Sequence, residues 1–200
     1  MKIVIADINE EFVNAIQEEL DTQCVKKEHA EVFLGSFNKV PGIDCMVAAG
    51  NSFGNMGGGI DLAIRNFLGH RIQDIVMFNI KEEFLGELPV GESIIVDTLD
   101  RRIPTLVYTP TTRIPRNVFK INREVPYVAT WSAITKAHHY SKTTKEIKTL
   151  VIPGMATGAG GFPAKIAAKL MVMAISNYIQ YQNKTATMAD GRFTDKSIYS

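Results

Sequence analysis

V-A-A-G-N-S-F-G-N-M-G-G-G-I-D-L-A-I, running from Val47 to Ile64, is the stretch whose reading decides the fold. The apolar run from Ile43 to Ala49 that leads into it reads as a buried strand. The chain then opens into a loop with Asn51, Asn55 and three successive glycines, Gly57, Gly58 and Gly59. From Ile60 the apolar spacing becomes helical, with Asp61 in the first turn. Strand, glycine loop and helix together present backbone N–H groups to an anion. Bare glycine backbone also lets a ligand approach closely. The asparagine amides can bond sugar hydroxyls as donor or acceptor, and Asp61 can accept from a hydroxyl or polarise a water. The same residues also suit a plain strand-to-helix turn, with Asp61 balancing the helix N-terminus and the asparagines shaping the bend.

A second loop of this kind lies near the other end of the chain. Leu150 to Ile152 reads as a strand, Ala164 to Ile179 as an alanine- and methionine-rich helix, and P-G-M-A-T-G-A-G-G-F-P (Pro153 to Pro163) joins them. Thr157, Gly158, Ala159, Gly160 and Gly161 expose backbone donors, and Pro163 suits a helix start. Phe162 either covers a ribose or base or packs into the core. Ligands of open α/β sheets sit at the carboxyl ends of strands. Both loops follow strands, so they are expected to face one cleft and hold a diphosphate from two sides.

Outward from these loops, Lys2 to Ala6 is a β-branched strand, followed by Phe12, Val13, Ile16 and Leu20 at helical spacing, with Asp7 or Asn9 as the cap. Further strands are expected at Glu31–Leu34, Ile94–Val96 and Leu106–Tyr108, and further helices at Ile60–Leu68, Ile72–Leu85 and Val125–Tyr140. In the last of these, Val128, Trp131 and Thr135 share a side, and Trp131 reads as core. Pro110 to Asn117 has two prolines, two arginines and no period, so it reads as a loop. Strands alternating with helices indicate an α/β domain whose mixed, largely parallel sheet lies between helical layers. One domain is expected over residues 1–181, with a polar tail over 182–200.

Composition narrows the function. The 200 residues carry a formal net charge of +1, which gives no electrostatic reason to expect nucleic acid or a membrane surface as partner. No apolar run approaches the roughly 20 residues of a membrane helix. The opening M-K-I-V-I-A-D turns charged too soon for a signal peptide. The two cysteines, Cys24 and Cys45, sit among apolar residues and read as lone buried thiols of a cytoplasmic protein. There is no G-x-x-x-x-G-K-[ST] and no dinucleotide fingerprint opening a first βα unit, which argues against a Walker-type triphosphatase and a Rossmann dehydrogenase. No Cys/His set has zinc spacing, so neither metal nor cofactor is expected. The four histidines lack an acidic or nucleophilic partner and read as surface or structural groups.

N-S-F-G-N-M-G-G-G-I-D resembles the macrodomain motif, an asparagine followed after six residues by G-G-[VIL]-D. Asn51 takes the asparagine position, Gly58 and Gly59 the glycine pair, Ile60 the aliphatic and Asp61 the aspartate. A-T-G-A-G-G-F-P resembles that family's second loop, usually S-T-G-[IV]-[FY]-G-[YF]-P. G-S-F at Gly35 to Phe37 stands where the family commonly has G-D-I. The resemblance covers Val32 to Ile179. It implies a three-layer α/β/α sandwich around a central mixed sheet that binds ADP-ribose or an ADP-ribosylated protein. The diphosphate would lie between the loops, and the distal ribose near Asn51 and Asp61.

Three departures accompany it. Ser36 replaces the aspartate that in the family bonds the adenine amine. Gly160 replaces the aromatic that packs on the distal ribose in hydrolytic members. No strand follows the last helix, whereas I-V-I-A-D-I-N-E-E-F-V at the N-terminus looks like that missing strand–helix unit moved to the front. The first strand is then expected beside Leu150–Ile152, bringing Asp7 to the adenine in place of the lost carboxylate. The resemblance implies Asn51 and Asp61 as candidate catalytic residues for removal of ADP-ribose or hydrolysis of its esters or phosphates. The candidate ligand contacts are Asp7, Ile8, Ser36, Phe37, Gly50, Gly57, Gly58, Gly59, Ile60, Thr157, Gly158, Ala159, Gly160, Gly161 and Phe162. A module that only binds or sequesters an ADP-ribose-type signal is the other reading.

Overall fold

The structure is a computed structural model that describes residues 1–183; of the expected tail only Gln182 and Asn183 fall within it. The N-terminal β-branched run forms β1 (Lys2–Asp7) and leads into α1 (Glu10–Thr22). Next come β2 (Ala30–Leu34), a 3₁₀ turn (Phe37–Lys39), β3 (Cys45–Asn51), α2 (Gly59–Leu68) and α3 (Arg71–Phe84). The chain continues through β4 (Ile94–Asp97), β5 (Thr105–Thr112), α4 (Val125–Thr143), β6 (Thr149–Ile152) and α5 (Ala164–Gln182).

The strands form one sheet in the order β2-β1-β6-β3-β5-β4. Every neighbouring pair is parallel except β4–β5. The first strand therefore does enter beside Leu150–Ile152, with Ile3 opposite Leu150 and Ile5 opposite Ile152. Its other edge pairs with β2, Ile3 opposite Ala30.

Side-chain alternation along each strand divides the interior in two. Ile3 and Ile5 of β1, Leu150 and Ile152 of β6, and Cys45 and Val47 of β3 pack with Phe12, Ile16, Ala133 and Met171 from α1, α4 and α5. Val4, Ala6, Val151, Met46 and Ala48 point the other way and pack with Ile64, Ile72, Val76 and Ile80 from α2 and α3. The sandwich is thus α1/α4/α5, sheet, α2/α3, which is the three-layer arrangement read from the sequence. Among the described residues no helix is long and apolar enough to cross a membrane.

Three local expectations are corrected. On α4 the buried stripe is Val125, Ala129, Thr130, Ala133, Ile134, Ala137 and His138, while Val128 is exposed and Trp131 and Thr135 are only half-buried. Ala129, Ala133 and Ala137 recur at i, i+4 and i+8 along that stripe, and α4 also meets α5 through bulky side chains, the Tyr127 hydroxyl accepting from Asn177 Nδ2 at 3.1 Å. Trp131 instead stacks parallel to Tyr127 at 6.5 Å. Pro110, Thr111 and Thr112 belong to β5, not to the loop after it. Pro110 pairs with Gly50 of β3 and lies beyond the last β4 pair, Ile94–Tyr108. A strand with one remaining neighbour tolerates a residue lacking N–H. Cys24 is exposed, whereas Cys45 is buried as expected. Cys24 follows the end of α1 at φ 53°, in the polar stretch Asp21 to Glu28 where Val25 is its one apolar neighbour, so the expectation of burial misread its surroundings.

His138 proves structural. Its Nδ1 lies 3.2 Å from the Tyr178 hydroxyl and 3.0 Å from Gln182 Nε2. Burial, helped by Lys142 and His139, holds its pKa below the usual histidine range.

Candidate functional site

At the carboxyl ends of β1, β3, β5 and β6 lies a cleft of about 1010 Å³. Gly57, Gly58 and Gly59 line it from the first glycine loop, and Thr157, Gly158, Ala159 and Gly160 from the second. Asn51, Asp61, Gly50, Ile60, Asp7, Ile8, Ser36 and Phe37 also line it. Of the residues singled out from the sequence, Gly161 and Phe162 do not. Phe162 is 4% exposed and packs edge-on against Phe119 at 5.2 Å. Gly161, at φ 71°, turns the chain from the cleft into that core contact.

The first loop is held by its own asparagine. Asn51 Nδ2 donates to the Asn55 carbonyl (2.7 Å), and Oδ1 accepts from the N–H groups of Phe53 (3.1 Å) and Asn55 (3.4 Å). This leaves the amide one free N–H for a ligand. Met56, fully buried, donates its N–H to Gln73 Oε1 (2.9 Å), which also accepts from Arg65 (3.0 Å), so the loop is fastened to α2 and α3. Gly58 and Gly59 then lead into α2, Gly59 at φ 54°, a conformation that L side chains rarely adopt.

The second loop closes on itself. Gly161 N–H donates to the Gly158 carbonyl (3.0 Å) and Phe162 N–H to that of Ala156 (3.1 Å). Asp7 couples this loop to the N-terminal unit. Its Oδ2 accepts from Gly154 N–H (3.1 Å) and its Oδ1 from Asn9 N–H (2.9 Å), while Asn9 caps α1 by accepting from Phe12 N–H (3.2 Å). The Asp7 carbonyl accepts from Gly35 N–H (2.9 Å). One residue at the end of β1 thus meets both β2 and the loop after β6.

Asp61 is the most unusual group in the cleft. It is 4% exposed, and its Oδ1 has no hydrogen-bond partner among the described residues. Its Oδ2 lies 3.4 Å from the hydroxyl of Tyr108. That hydroxyl accepts from Asn51 N–H and donates to the Asn51 carbonyl, both at 3.0 Å. Burial pushes the Asp61 carboxyl up to about 7, and the contact with Tyr108 only partly opposes it. Tyr108 is itself raised well above its ordinary value, by burial and then by the charge of Asp61. Gly50 makes the pairing possible. A Cβ there would meet Tyr108 Oη at 2.1 Å and Asp61 Oδ2 at 2.7 Å.

Sequence reasoning missed Tyr108, Gly154 and the rim formed by Phe53, Thr111, Thr112, Ile114 and Pro115. Tyr108 reads as ordinary strand core. Only the register that sets it opposite Ala48 brings its hydroxyl to the backbone of Asn51. Thr111 and Thr112 were hidden because β5 runs four residues beyond the apolar run that marks it.

A family model described as a macro-like domain matches residues 2–189. An uncharacterised protein of Aquifex aeolicus is 30% identical over 149 residues, covering 74% of this chain and 81% of that one. An uncharacterised protein of Thermotoga maritima is 26% identical over 143 residues, 72% of this chain but 22% of the longer protein. Among solved structures, the Oceanobacillus iheyensis macrodomain with ADP superposes at a TM-score of 0.62 with 23% identity, over 74% of each chain. A variant of that macrodomain with ADPR gives 0.61 at 22% identity, over 73% of this chain and 75% of that one.

Proposed function

The chain belongs to the macro-like domain family, and from that premise we propose that it binds ADP-ribose or a close derivative in the cleft between its two glycine loops. The observation that carries this reading is the convergence of Gly57–Gly59 and Thr157–Gly160, about a hundred residues apart in sequence, on one cavity. Backbone N–H groups from both loops suit a diphosphate, which explains anion binding by a chain with almost no net charge. Related macrodomain structures carry ADP and ADPR.

In this reading Asp7, Ile8, Ser36 and Phe37 form the adenine end. Asp7 supplies the carboxylate that Ser36 does not, already oriented by Asn9 and Gly154. The free amide hydrogen of Asn51 and the unpartnered Oδ1 of Asp61 meet the terminal ribose. Gly50 and Ile60 shape the floor beneath it, and Gly161 and Phe162 support the second loop from behind. The unpaired cysteines favour a reducing, cytoplasmic setting. Isothermal calorimetry with ADP-ribose tests the proposal, which predicts saturable heat at micromolar ligand. No heat at millimolar ligand would leave an interaction protein with an inactive cleft.

Asp61 supports a second, enzymatic reading. A buried carboxylate titrating at about 7 is suited to take a proton from water near neutral pH. The water oxygen would bond to the anomeric carbon of the terminal ribose as the bond from that carbon to the acceptor side chain breaks, one water proton passing to Asp61 and then to the departing acceptor. Free ADP-ribose released from mono-ADP-ribosylated protein, and its loss in Asn51→Ala and Asp61→Ala, tests this. Binding without release leaves a module that reads or sequesters the ligand.

A further inference from the structure

We propose that Phe53 is the residue that distinguishes ADP-ribose from ADP, its ring forming the wall against which the terminal ribose lies. The inference rests on the ADP-ribose reading above and assigns the terminal-sugar subsite within it. It starts from a position that has no room for a side chain. At Gly160 a Cβ would lie 2.5 Å from the Ala156 carbonyl oxygen and 2.8 Å from Ala156 Cβ. The second loop is curled too tightly there to present any ring. Its own aromatic, Phe162, is 4% exposed against Phe119. Among the described residues the second loop therefore offers a sugar no aromatic face.

The facing loop supplies one. Among the described residues, two aromatics line the cleft, Phe37 and Phe53. Phe37 is 3% exposed and engaged edge-on with Phe67 at 5.7 Å, and it belongs to the opposite end, beside Ser36. Phe53 is 36% exposed. It sits in the turn organised by Asn51, whose Oδ1 accepts from Phe53 N–H at 3.1 Å.

Its ring is pinned from behind. The Arg113 guanidinium carbon lies 5.2 Å from the ring centroid, and Arg113 is itself fixed by two hydrogen bonds to Glu87, Nε–Oε1 at 2.5 Å and Nη2–Oε2 at 2.9 Å. A two-point guanidinium–carboxylate contact fixes orientation as well as position. The cation lies over the ring, and Phe53 is also one of the residues that line the cleft. An aromatic face held in place before binding suits the C–H face of a sugar and loses little conformational freedom when it is used. ADP lacks the terminal ribose, so its binding should not involve Phe53.

Calorimetry with ADP-ribose and with ADP on the wild type, Phe53→Ala and Phe53→Tyr is the test. In Phe53→Ala, affinity for ADP-ribose should fall about ten-fold while affinity for ADP stays within about two-fold. Phe53→Tyr should restore the preference. Arg113→Met, which unpins the ring, should give a smaller loss with the same selectivity. Melting curves confirm that each variant is folded. Equal weakening of both ligands, or no change in either, would overturn this inference and leave the binding reading intact. Absence of ADP-ribose binding in the folded wild type would overturn the reading, and this inference with it.

Discussion

Replacing Asp61 with asparagine keeps the shape of the side chain and removes its charge, which isolates the consequence of burying a carboxylate beside Tyr108. In the fold the carboxyl titrates at about 7, against 3.8 for the free side chain. Between those values the folded protein holds a proton that the unfolded chain has released. Stability attributable to Asp61 is therefore fully present below the lower value and is lost as pH rises through the higher one. Above it, the fold carries a buried, incompletely hydrogen-bonded charge. From about pH 5 to about pH 8 the loss amounts to roughly 2–3 kcal/mol. Asp61→Asn has no such slope. Urea unfolding of both proteins across that range should give a stability difference that changes by this amount, the variant gaining on the wild type as pH rises. Parallel curves would refute the argument, because they would mean that Asp61 titrates as an ordinary solvated carboxylate, and the case for its acting as a base near neutrality would fall with it.

Tyr108→Phe removes the only hydroxyl bonded to the backbone N–H and carbonyl of Asn51 among the hydrogen bonds described, and should cost about 1–3 kcal/mol in denaturant unfolding. It should also move the Asp61 midpoint upward, read by carboxyl carbon NMR, since the tyrosine opposes the shift. Gly50→Ala forces a methyl to 2.1 Å from Tyr108 Oη and should lower stability by about 1–3 kcal/mol, visible as a drop in Tm. Gly160→Phe, although it restores an aromatic at a position where relatives of the motif have one, should lower Tm without strengthening ADP-ribose binding, because the Ala156 backbone occupies the space. Asp7→Ala should weaken ADP-ribose in calorimetry about ten-fold, through loss of a ligand carboxylate and of the bond to Gly154 N–H.

What was legible in the sequence was what the backbone decides locally. Alternating and helical apolar spacing marked the strands and helices, and glycines after strands marked both loops, because side-chain period and missing Cβ atoms act within a few residues. The place of β1 beside β6 was also anticipated, from the resemblance of I-V-I-A-D-I-N-E-E-F-V to a strand–helix unit that the family carries at its other end; its pairing with β2 was not. Other features depended on residues far apart along the chain. The buried stripe of α4 keeps a helical period but is made of alanines with Thr130 and His138, so which side turns inward was set by the elements packed on it. The bond from Asp7 to Gly154 spans 147 residues. The Tyr108 hydroxyl reaches Asn51 across 57 residues and Asp61 across 47. Burial by distant elements pushes up the Asp61 carboxyl, and a salt bridge across 26 residues holds Arg113 over Phe53. Local rules determined that the chain would build two glycine loops after strands. Only tertiary packing decided that they line one cleft, that Asp61 is buried there and that Phe53 stands at its rim, because those properties belong to neighbours that meet only once the sheet is assembled.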